Sequence, residues 1–333
     1  CDTDQAKLDK YSEIFNVSKD NCFLSEDEFF SKKRADVLLV TTLDNLHFRM
    51  AKKGLLLGYD LLVEKPITKN KDELNELVSL VEQTKRKVMV CHVLRYTPMI
   101  IKLKELLDSG VIGKLVSIDH TDNIVYFHHA HSYVRGNWHN TKETTPMIMA
   151  KCCHDLDLIQ YFIGSKCNAV SSMGSLSFFK KENKPEGAAN RCLECKHVND
   201  CIYSAKRMYI DDWKDMGSAP SGGFAGIACI KEPLTEEAIL DSISKNEYGQ
   251  CVFECANDAV DNQTVIMQFD NGVTATLKAE AFVRDGGRDI RFFGTHGEID
   301  LREGEGKIYV KPFRKLGYEI KIADISSDME GLH

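Results

Sequence analysis

The first third of the chain alternates short apolar runs with amphipathic segments, and this order strongly limits its fold. Residues 35–42, 55–63 and 87–93 have the composition of buried strands, while 44–53 and 70–84 have the apolar spacing of helices. Strands this apolar, separated by helices, predict a parallel sheet covered on both faces. Nucleotide ligands of such sheets bind beyond the carboxyl ends of the strands. The residues at those ends are Thr41, Thr42, Glu64, Lys65, His92 and Arg95.

After Gly113 the pattern changes to an alternation of apolar and polar residues. Alternating runs joined by tight turns, such as the Asp-Asn-Gly turn at 270–272, predict an antiparallel sheet with one covered face. A helix at 99–107 precedes these runs, and a second helix at 147–163 interrupts them. The alternating runs are residues 114–124, 169–179, 262–269, 273–282, 288–293 and 307–310.

These patterns predict an α/β chain of two domains. The first, at 1–95, is built on a parallel sheet. The second, at 96–333, is an α+β domain with an open, mostly antiparallel sheet. Within it, residues from about 180 to 248 are polar and rich in turns and cysteines, which indicates an insertion.

Length and composition fit a soluble enzyme better than a nucleic-acid or membrane protein. A chain of 333 residues can bury two cores, and its net charge of −7 offers no attraction to nucleic acid or to an anionic membrane. No apolar run approaches the ~20 residues that span a bilayer. The 12 cysteines include Cys91, Cys152 and Cys153 inside apolar segments, where they replace small hydrophobic residues. A reducing, cytoplasmic location is therefore expected.

The tripeptide Glu64-Lys65-Pro66 lies where the second apolar run ends. A lysine at the end of a buried strand is partly desolvated, and desolvation lowers the pKa of an ammonium group. A lysine with a pKa near neutrality can transfer protons. An exposed turn of the same composition is the alternative, and the tripeptide alone does not decide between the two.

Together with other short motifs, this tripeptide makes the chain resemble the Gfo/Idh/MocA family of NAD(P)-dependent sugar and polyol dehydrogenases. The order and spacing of the motifs carry the resemblance, which extends over nearly the whole chain. The motifs are residues 40–47 (Val-Thr-Thr-Leu-Asp-Asn-Leu-His), Glu64-Lys65-Pro66, residues 92–98 (His-Val-Leu-Arg-Tyr-Thr-Pro), His154-Asp155-Leu156-Asp157 and residues 294–299 (Gly-Thr-His-Gly-Glu-Ile).

The resemblance implies a Rossmann-like first domain, a substrate and oligomerisation domain, and a homodimer or homotetramer. It also matches Asp2 to the acidic residue that binds the adenosine ribose, and an Asp there favours NAD over NADP. The chain lacks the family's first strand and Gly-rich loop and ends at 330–333 before the family's last helix. We therefore expect a sequence trimmed at both ends that binds dinucleotide poorly. The cofactor-binding residues implied are Asp2, Thr41, Thr42, His47, Glu64, Lys65, Pro66 and Arg95.

Oxidising a secondary alcohol moves hydride to nicotinamide and requires a base for the hydroxyl proton. The resemblance implies Lys65 and His154 for proton handling, with Asp157 one helical turn after His154 to fix its tautomer. Many relatives carry Asp four residues before this His, where the chain has Ala150. Lys151 follows, and we expect it to contact substrate, although it could also extend to solvent.

Residues 128–140 combine histidines, Tyr133, Arg135 and Trp138, a composition suited to hydrogen bonding and stacking with a sugar. We predict that Arg135 and Trp138 bind substrate, together with Tyr96, Lys151 and His154. Metal binding by the three clustered histidines is a weaker alternative, because their spacing does not converge on one ion.

Cys192-x-x-Cys195, followed by Cys201, has the spacing of thiolate metal ligands. With Cys251 as the fourth ligand, this set predicts a structural Zn site that would order a segment with little apolar content. Cys229 and Cys255 are other candidates for the fourth position. An Fe–S cluster and a set of free thiols are the alternatives.

The sequence thus predicts an NAD-dependent oxidoreductase that transfers hydride between nicotinamide and a sugar, glycoside or cyclic polyol. Two other functions stay open. One is NAD-dependent cleavage of a glycoside through a transient keto-sugar, and the other is a non-catalytic dinucleotide-binding regulatory module.

Overall fold

The computed structural model describes residues 1–215, 223–229 and 233–327, so the C-terminal residues 330–333 and parts of the predicted insertion lie outside the described residues. The chain divides into two compact units, residues 1–92 and 93–333. The division falls three residues before the expected boundary at 95/96.

Unit 1 contains the predicted parallel sheet, in the order β1-β2-β3. The strands are β1 (Val37–Val40), β2 (Asp60–Val63) and β3 (Val88–Val90), and the helices are α1 (Gln5–Ile14), α2 (Glu26–Phe29), α3 (His47–Leu56) and α4 (Lys71–Thr84).

Only one face of this sheet is covered in the described structure, contrary to the prediction. Leu38, Val40 and Leu61 pack against α3 and α4. On the other face, Leu39 is 61% exposed and Met89 is 48% exposed. Their apolar character made these strands resemble ones buried on both faces, which composition alone cannot distinguish from a half-covered strand.

Helix α3 continues past Gly54, where the sequence predicted its end. A Cβ at Gly54 would lie 2.7 Å from Leu38 Cδ2 and 2.9 Å from Leu61 Cδ2. The glycine therefore allows close contact between helix and sheet rather than ending the helix. The predicted strand at 55–63 is correspondingly shorter, because its first residues finish the helix.

Unit 2 is built on an eight-stranded sheet in the order β11-β10-β9-β8-β4-β7-β6-β5, with only β4 and β7 parallel. This confirms the predicted open, mostly antiparallel sheet. The strands are β4 (Leu115–Val125), β5 (Cys167–Ser175), β6 (Asn262–Phe269), β7 (Thr274–Val283), β8 (Gly287–Gly294), β9 (Gly297–Arg302), β10 (Lys307–Pro312) and β11 (Tyr318–Lys321).

Helices of unit 2 pack on one face of this sheet, where Ile100, Ile159 and Phe292 are buried. Across the described ranges, no helix is long and apolar enough to cross a membrane. The helices are α5 (Pro98–Asp108), α6 (Tyr126–His129), α7 (Met147–Ala150), α8 (Cys153–Ile163), α9 (Asp212–Asp215), α10 (Gly223–Ala228), α11 (Glu236–Lys245) and α12 (Ile322–Ser327).

The predicted insertion shares a second hydrophobic core with the residues that flank it. Tyr203 and Tyr209 of the insertion are buried there with Phe179 and Phe253, which lie just outside it, and with Val134. The expectation that this segment has too little apolar content to order itself is therefore wrong. Its few large aromatic side chains bury more apolar area than its polar composition suggests.

Gly249 is a position where this smaller core accepts no side chain. A Cβ there would lie 1.6 Å from the backbone oxygen of Ile243. We expect Gly249→Ala to destabilise the protein by about 1–3 kcal/mol or more, because the backbone must move to relieve the overlap. Thermal unfolding should show the loss. Gly226→Ala is the control, since no heavy atom lies within 4 Å of its Cβ position.

Candidate functional site

The carboxyl end of β2 carries the predicted catalytic lysine in unit 1. Lys65 is half-buried, and its backbone N–H donates to Glu64 Oε2 at 3.2 Å. Glu64 therefore contacts the main chain of the next residue. Thr41 and Thr42 follow β1 and are exposed. These side chains form a polar edge beyond the ends of adjacent parallel strands, where dinucleotides bind in such sheets.

His47 contacts the backbone of the loops that form this edge. It is 1% exposed, and its Nδ1 lies 2.7 Å from the Pro66 oxygen while its Nε2 lies 2.8 Å from the Thr42 oxygen. The imidazole thus joins the loops that follow β1 and β2. With both nitrogens against backbone oxygens, His47 is a positioning residue for the loop rather than the cofactor contact that the sequence predicted.

Asp2 lies near the start of the chain, half-buried, with its Oδ1 accepting the Asp4 N–H at 2.9 Å. Its backbone N–H donates to Phe23 O at 3.1 Å. Binding of the adenosine ribose, the role implied for Asp2 by the family resemblance, stays a prediction.

Arg95 and Asp157 form a pair within unit 2. Arg95 Nε donates to Asp157 Oδ2 at 2.7 Å and Nη2 donates to Oδ1 at 2.6 Å, and the guanidinium also stacks over the Tyr161 ring. The hydrogen bond to Asp157 raises the pKa of Arg95. Arg95 was predicted to bind cofactor and Asp157 to orient His154. In the structure the two side chains form a bidentate contact with each other.

The predicted helix at 147–163 is broken in the structure. Helix α7 ends at Ala150, and α8 begins at Cys153. Lys151 lies in the break, with φ −115° and ψ −58°. The break turns Lys151 toward the covered face of the sheet, whereas His154 occupies the first turn of α8.

Lys151 contacts a buried carboxylate on β4. Its Nζ lies 3.2 Å from Asp122 Oδ2 and 3.3 Å from Oδ1, and the Asp122 side chain is 1% exposed. Burial, followed by the nearby Asp155 charge, raises the pKa of Asp122. An acid of raised pKa hydrogen-bonded to an ammonium group can hold or release a proton, as expected for a catalytic relay.

A second buried carboxylate, Asp155, lies beside this pair. His120 Nε2 is 2.8 Å from its Oδ1, and Arg288 Nε donates to the same oxygen at 2.7 Å. Burial acts to raise the pKa of Asp155, but the hydrogen bonds and charges of His120 and Arg288 outweigh burial and hold this pKa below its usual range. Asp155 is therefore the permanently charged member of the group, and Asp122 the adjustable one.

Sequence reasoning missed Asp122, His120 and Arg288. A signal was present, because His120 and Asp122 occupy the covered face of β4 between Ile118 and Ile124. Two polar residues at apolar positions of an alternating strand indicate a buried polar network.

Asp122, Cys152 and Asp155 also place ligand atoms within 4.8 Å of one another, close enough for a metal ion. The two carboxylates, however, already contact the cations Lys151 and Arg288. We interpret the group as an ion-pair network rather than a metal site.

The predicted substrate segment is largely buried. Arg135 is 2% exposed and donates to the backbone oxygens of Tyr203 at 2.7 Å and Gln250 at 2.8 Å. It lies at the end of a π-helix, Ala130–Arg135. Arg135 therefore supports the small aromatic core and is not placed to bind a sugar, contrary to the prediction. Composition misled the prediction, because the residue type does not show whether a guanidinium is buried or exposed.

Three histidines of this segment, His128, His129 and His131, are neutral at neutral pH because burial lowers the pKa of each. Burial lowers the pKa of His128 to about 4, with the Lys151 charge adding to the effect, and lowers the pKa of His129 to about 4. His131 Nδ1 and Tyr209 Oη share a hydrogen bond of 2.8 Å, and the His131 ring stacks on Tyr248. The rings thus pack in the core, and the effect of Lys151 on His128 places these two residues near each other. Tyr96 is 62% exposed, and Trp138 packs against Tyr133.

Four cysteines, Cys192, Cys195, Cys201 and Cys251, line one cavity of ≈ 30 Å³. They are the four residues predicted as metal ligands. None of the 12 cysteines forms a disulfide bond.

Family models match both units. The NAD-binding Rossmann-fold model of the Gfo/Idh/MocA oxidoreductase family matches residues 1–92, and the C-terminal alpha/beta domain model of that family matches residues 104–329. The two matches follow the observed division of the chain.

Three known proteins are similar to this chain in sequence or fold. The chain is 23% identical over 303 residues to the oxidoreductase YteT of Bacillus subtilis, covering 88% of this chain and 66% of YteT. It is 25% identical over 176 residues to a glycosyl hydrolase family 109 protein of Streptomyces niveus, covering 49% of this chain and 35% of that protein. A solved structure of levoglucosan dehydrogenase with NADH and levoglucosan has a TM-score of 0.64 and 14% identity, covering 96% of this chain and 69% of that one.

Proposed function

Because the chain belongs to the Gfo/Idh/MocA oxidoreductase family, we propose that its protein transfers hydride between NAD and a hydroxyl-bearing carbon of a sugar, glycoside or cyclic polyol. The NAD-binding domain model that matches residues 1–92 is the observation that carries this proposal. The chain spans about two thirds of the length of YteT, so the activity proposed is that of the native protein.

Unit 1 supplies the dinucleotide contacts in this proposal. Thr41, Thr42 and the loop 64–66 lie beyond the strand ends, the position at which dinucleotides bind in parallel sheets. Asp2 binds the adenosine ribose, and its charge would repel the 2′-phosphate of NADP. NAD is therefore the proposed cofactor, and it supplies the hydride acceptor.

Lys65 is the proposed base for the hydroxyl proton. A neutral amine that accepts this proton as hydride leaves carbon prevents a positive charge from forming on the substrate oxygen. Pyridinium charge on bound NAD would favour the neutral form of Lys65. Glu64 fixes the loop through its contact with the Lys65 N–H.

Lys151 and His154 are the proposed substrate-binding groups of unit 2. The ammonium group of Lys151 donates to a substrate oxygen, and its contact with Asp122 orients this group. His154, one turn later, binds a second oxygen. The raised pKa of Asp122 allows the Asp122–Lys151 pair to exchange a proton with substrate.

We expect Lys151→Met to lower kcat/KM for the substrate roughly 10- to 100-fold, because a charge-assisted hydrogen bond contributes about 1.5–3 kcal/mol. Lys142→Met, at an exposed site of the same unit, is the matched control. Steady-state kinetics of NADH formation provide the measurement. Equal kinetics for the two variants would remove Lys151 from the site.

A screen of the native protein against sugars, polyols and glycosides, with NAD and separately with NADP, tests the function itself. We expect reduced cofactor to accumulate with at least one sugar or polyol, and faster with NAD. No turnover with any substrate, combined with tight dinucleotide binding, would instead favour a regulatory module.

Redox-assisted glycoside cleavage is the second candidate, supported by the similarity to the family 109 glycosyl hydrolase. In this reaction NAD takes hydride from the sugar and returns it after the glycosidic substituent has left, so no NADH accumulates. Release of a chromogenic aglycone without NADH in the same screen identifies this function.

Exposed apolar residues support a homo-oligomer, proposed as a dimer or tetramer. Val170 and Met173 of β5 are 68% and 80% exposed, and Ile266 of β6 is 58% exposed. A sheet edge with such residues is typical of a subunit interface. Light scattering on the native protein measures the assembly.

A further inference from the structure

None of the residues assigned to hydride transfer lines the cavity that contains Cys192, Cys195, Cys201 and Cys251. We infer that this cavity holds a [4Fe–4S] cluster, bound by the four cysteines and charge-balanced by the buried guanidinium of Arg135. The chemical class of the ligand is an iron–sulfide cage, in place of the zinc ion expected from the spacing alone.

Two of the four sulfur atoms accept a hydrogen bond from an N–H group. Arg135 Nη2 donates to Cys192 Sγ at 3.4 Å, and the Ala189 N–H donates to Cys195 Sγ at 3.4 Å. A neutral thiol is a weak acceptor, whereas a metal-bound thiolate is a good one. N–H donors directed at sulfur are expected at a thiolate cluster, where such hydrogen bonds also tune the potential.

Arg135 supplies the second observation. Its guanidinium is buried among Cys192, Met208 and two backbone oxygens. Among the residues that the structure describes, no carboxylate oxygen comes within 4 Å of it. A buried cation without an anion is strongly unfavourable. Four thiolates around a 2+ iron–sulfide core carry a net charge of −2, which offsets this cation.

The spacing of the sulfur atoms favours a cluster over zinc. A tetrahedral zinc site with Zn–S bonds of about 2.3 Å holds its sulfur atoms about 3.8 Å apart. Here no three of the four sulfur atoms lie within 4.8 Å of one another, although all four residues are among those described. A four-iron cluster binds each thiolate through a different iron, so its thiolate sulfur atoms lie farther apart than those of a zinc site.

Binding of the cluster conserves atoms and electrons. Each thiol loses its proton to solvent, and the resulting thiolate forms one bond to one iron of a preformed cluster, so no electron is gained or lost. The cluster then joins Cys192, Cys195 and Cys201 to Cys251, some 50 residues later in the chain. This bond network closes the aromatic core of the insertion and adds to its stability.

Anaerobic purification of the native protein, followed by reconstitution with equal amounts of ferrous and ferric iron and with sulfide, tests the inference. We expect about four iron and four sulfide per chain, with the broad visible absorbance of an iron–sulfur protein. One zinc per chain, a two-iron stoichiometry, or no metal after reconstitution would each overturn the inference.

Two cysteine variants test the assignment of ligands. Cys201→Ser should lose most of the iron, whereas Cys255→Ser should keep it. Cys255 is the matched control because its Sγ donates to the Cys251 oxygen and does not line the cavity, and a serine hydroxyl can make the same contact. Equal iron content in both variants would contradict the ligand set.

Arg135→Gln tests the charge balance with a readout that a merely structural role would not change. Removing a positive charge beside the cluster should make its reduction potential more negative, because the reduced cluster carries more negative charge. An unchanged potential in a variant that still holds its iron would separate Arg135 from the cluster.

Discussion

Replacing Lys65 by methionine is expected to abolish hydride transfer by the native protein, with kcat at least 10²- to 10⁴-fold lower. Methionine keeps the apolar stem and similar volume but cannot accept the hydroxyl proton. The loop should keep its shape, because its contacts run through the backbone. Glu64 bonds to the Lys65 N–H, and His47 contacts the Pro66 oxygen.

Lys71→Met is the matched control for this result, since Lys71 is exposed at the first residue of α4. NADH formation gives the rate, and fluorescence titration with NADH gives dinucleotide binding. Loss of turnover with near-normal binding places Lys65 in proton transfer. Turnover within a few-fold of wild type in Lys65→Met would remove the central chemical assignment.

The second large effect concerns stability. We expect Arg288→Met to lower the free energy of unfolding by about 3–5 kcal/mol, because it removes a cation from the fully buried carboxylate of Asp155. His120 would still contact that carboxylate but cannot fully replace the guanidinium. Urea unfolding followed by tryptophan fluorescence measures the loss.

Arg302→Met is the control for charge removal on a neighbouring strand. Arg302 Nη1 lies 3.6 Å from Asp289, but both side chains are more than a third exposed. Its removal should change stability by less than about 1 kcal/mol. A similar, small effect for both arginine variants would show that the buried contact contributes little.

The effect of Arg288→Met should depend on pH in a defined direction. The folded state holds the pKa of Asp155 below its unfolded value of about 3.9, so this residue stabilises the fold above about pH 4. That contribution is lost as pH falls toward the folded-state pKa. The stability difference between wild type and Arg288→Met should therefore shrink below pH 4.

The fold class could be predicted from hydrophobic periodicity, because the spacing of apolar residues is visible in the local sequence. The six alternating runs all became strands of the large sheet. Strand β9 was missed, since its buried Asp300 reads as a surface residue until Lys311 on β10 is found 2.6 Å away. A contact between strands is not visible in the pattern of either strand alone.

Some site residues could likewise be located from the sequence, and others could not. Lys65 and Lys151 occupy strand and helix ends, which sequence can locate. Arg135 could not be assigned, because its hydrogen-bond partners lie 68 and 115 positions later in the chain. The break at Lys151 was hidden because the apolar spacing continues from α7 into α8, whose residues pack into one core.

Strand β4 lies between β7 and β8, and its residue Ser117 is paired with Thr274 and Phe293. During synthesis on the ribosome, β4 therefore emerges long before either neighbour exists. This strand therefore stays unpaired until the intervening chain, including the cysteine-rich segment, has been synthesised. Such high contact order predicts slow folding, with the small aromatic core available to form first from more local contacts. The centre of the large sheet would then be among the last regions to close.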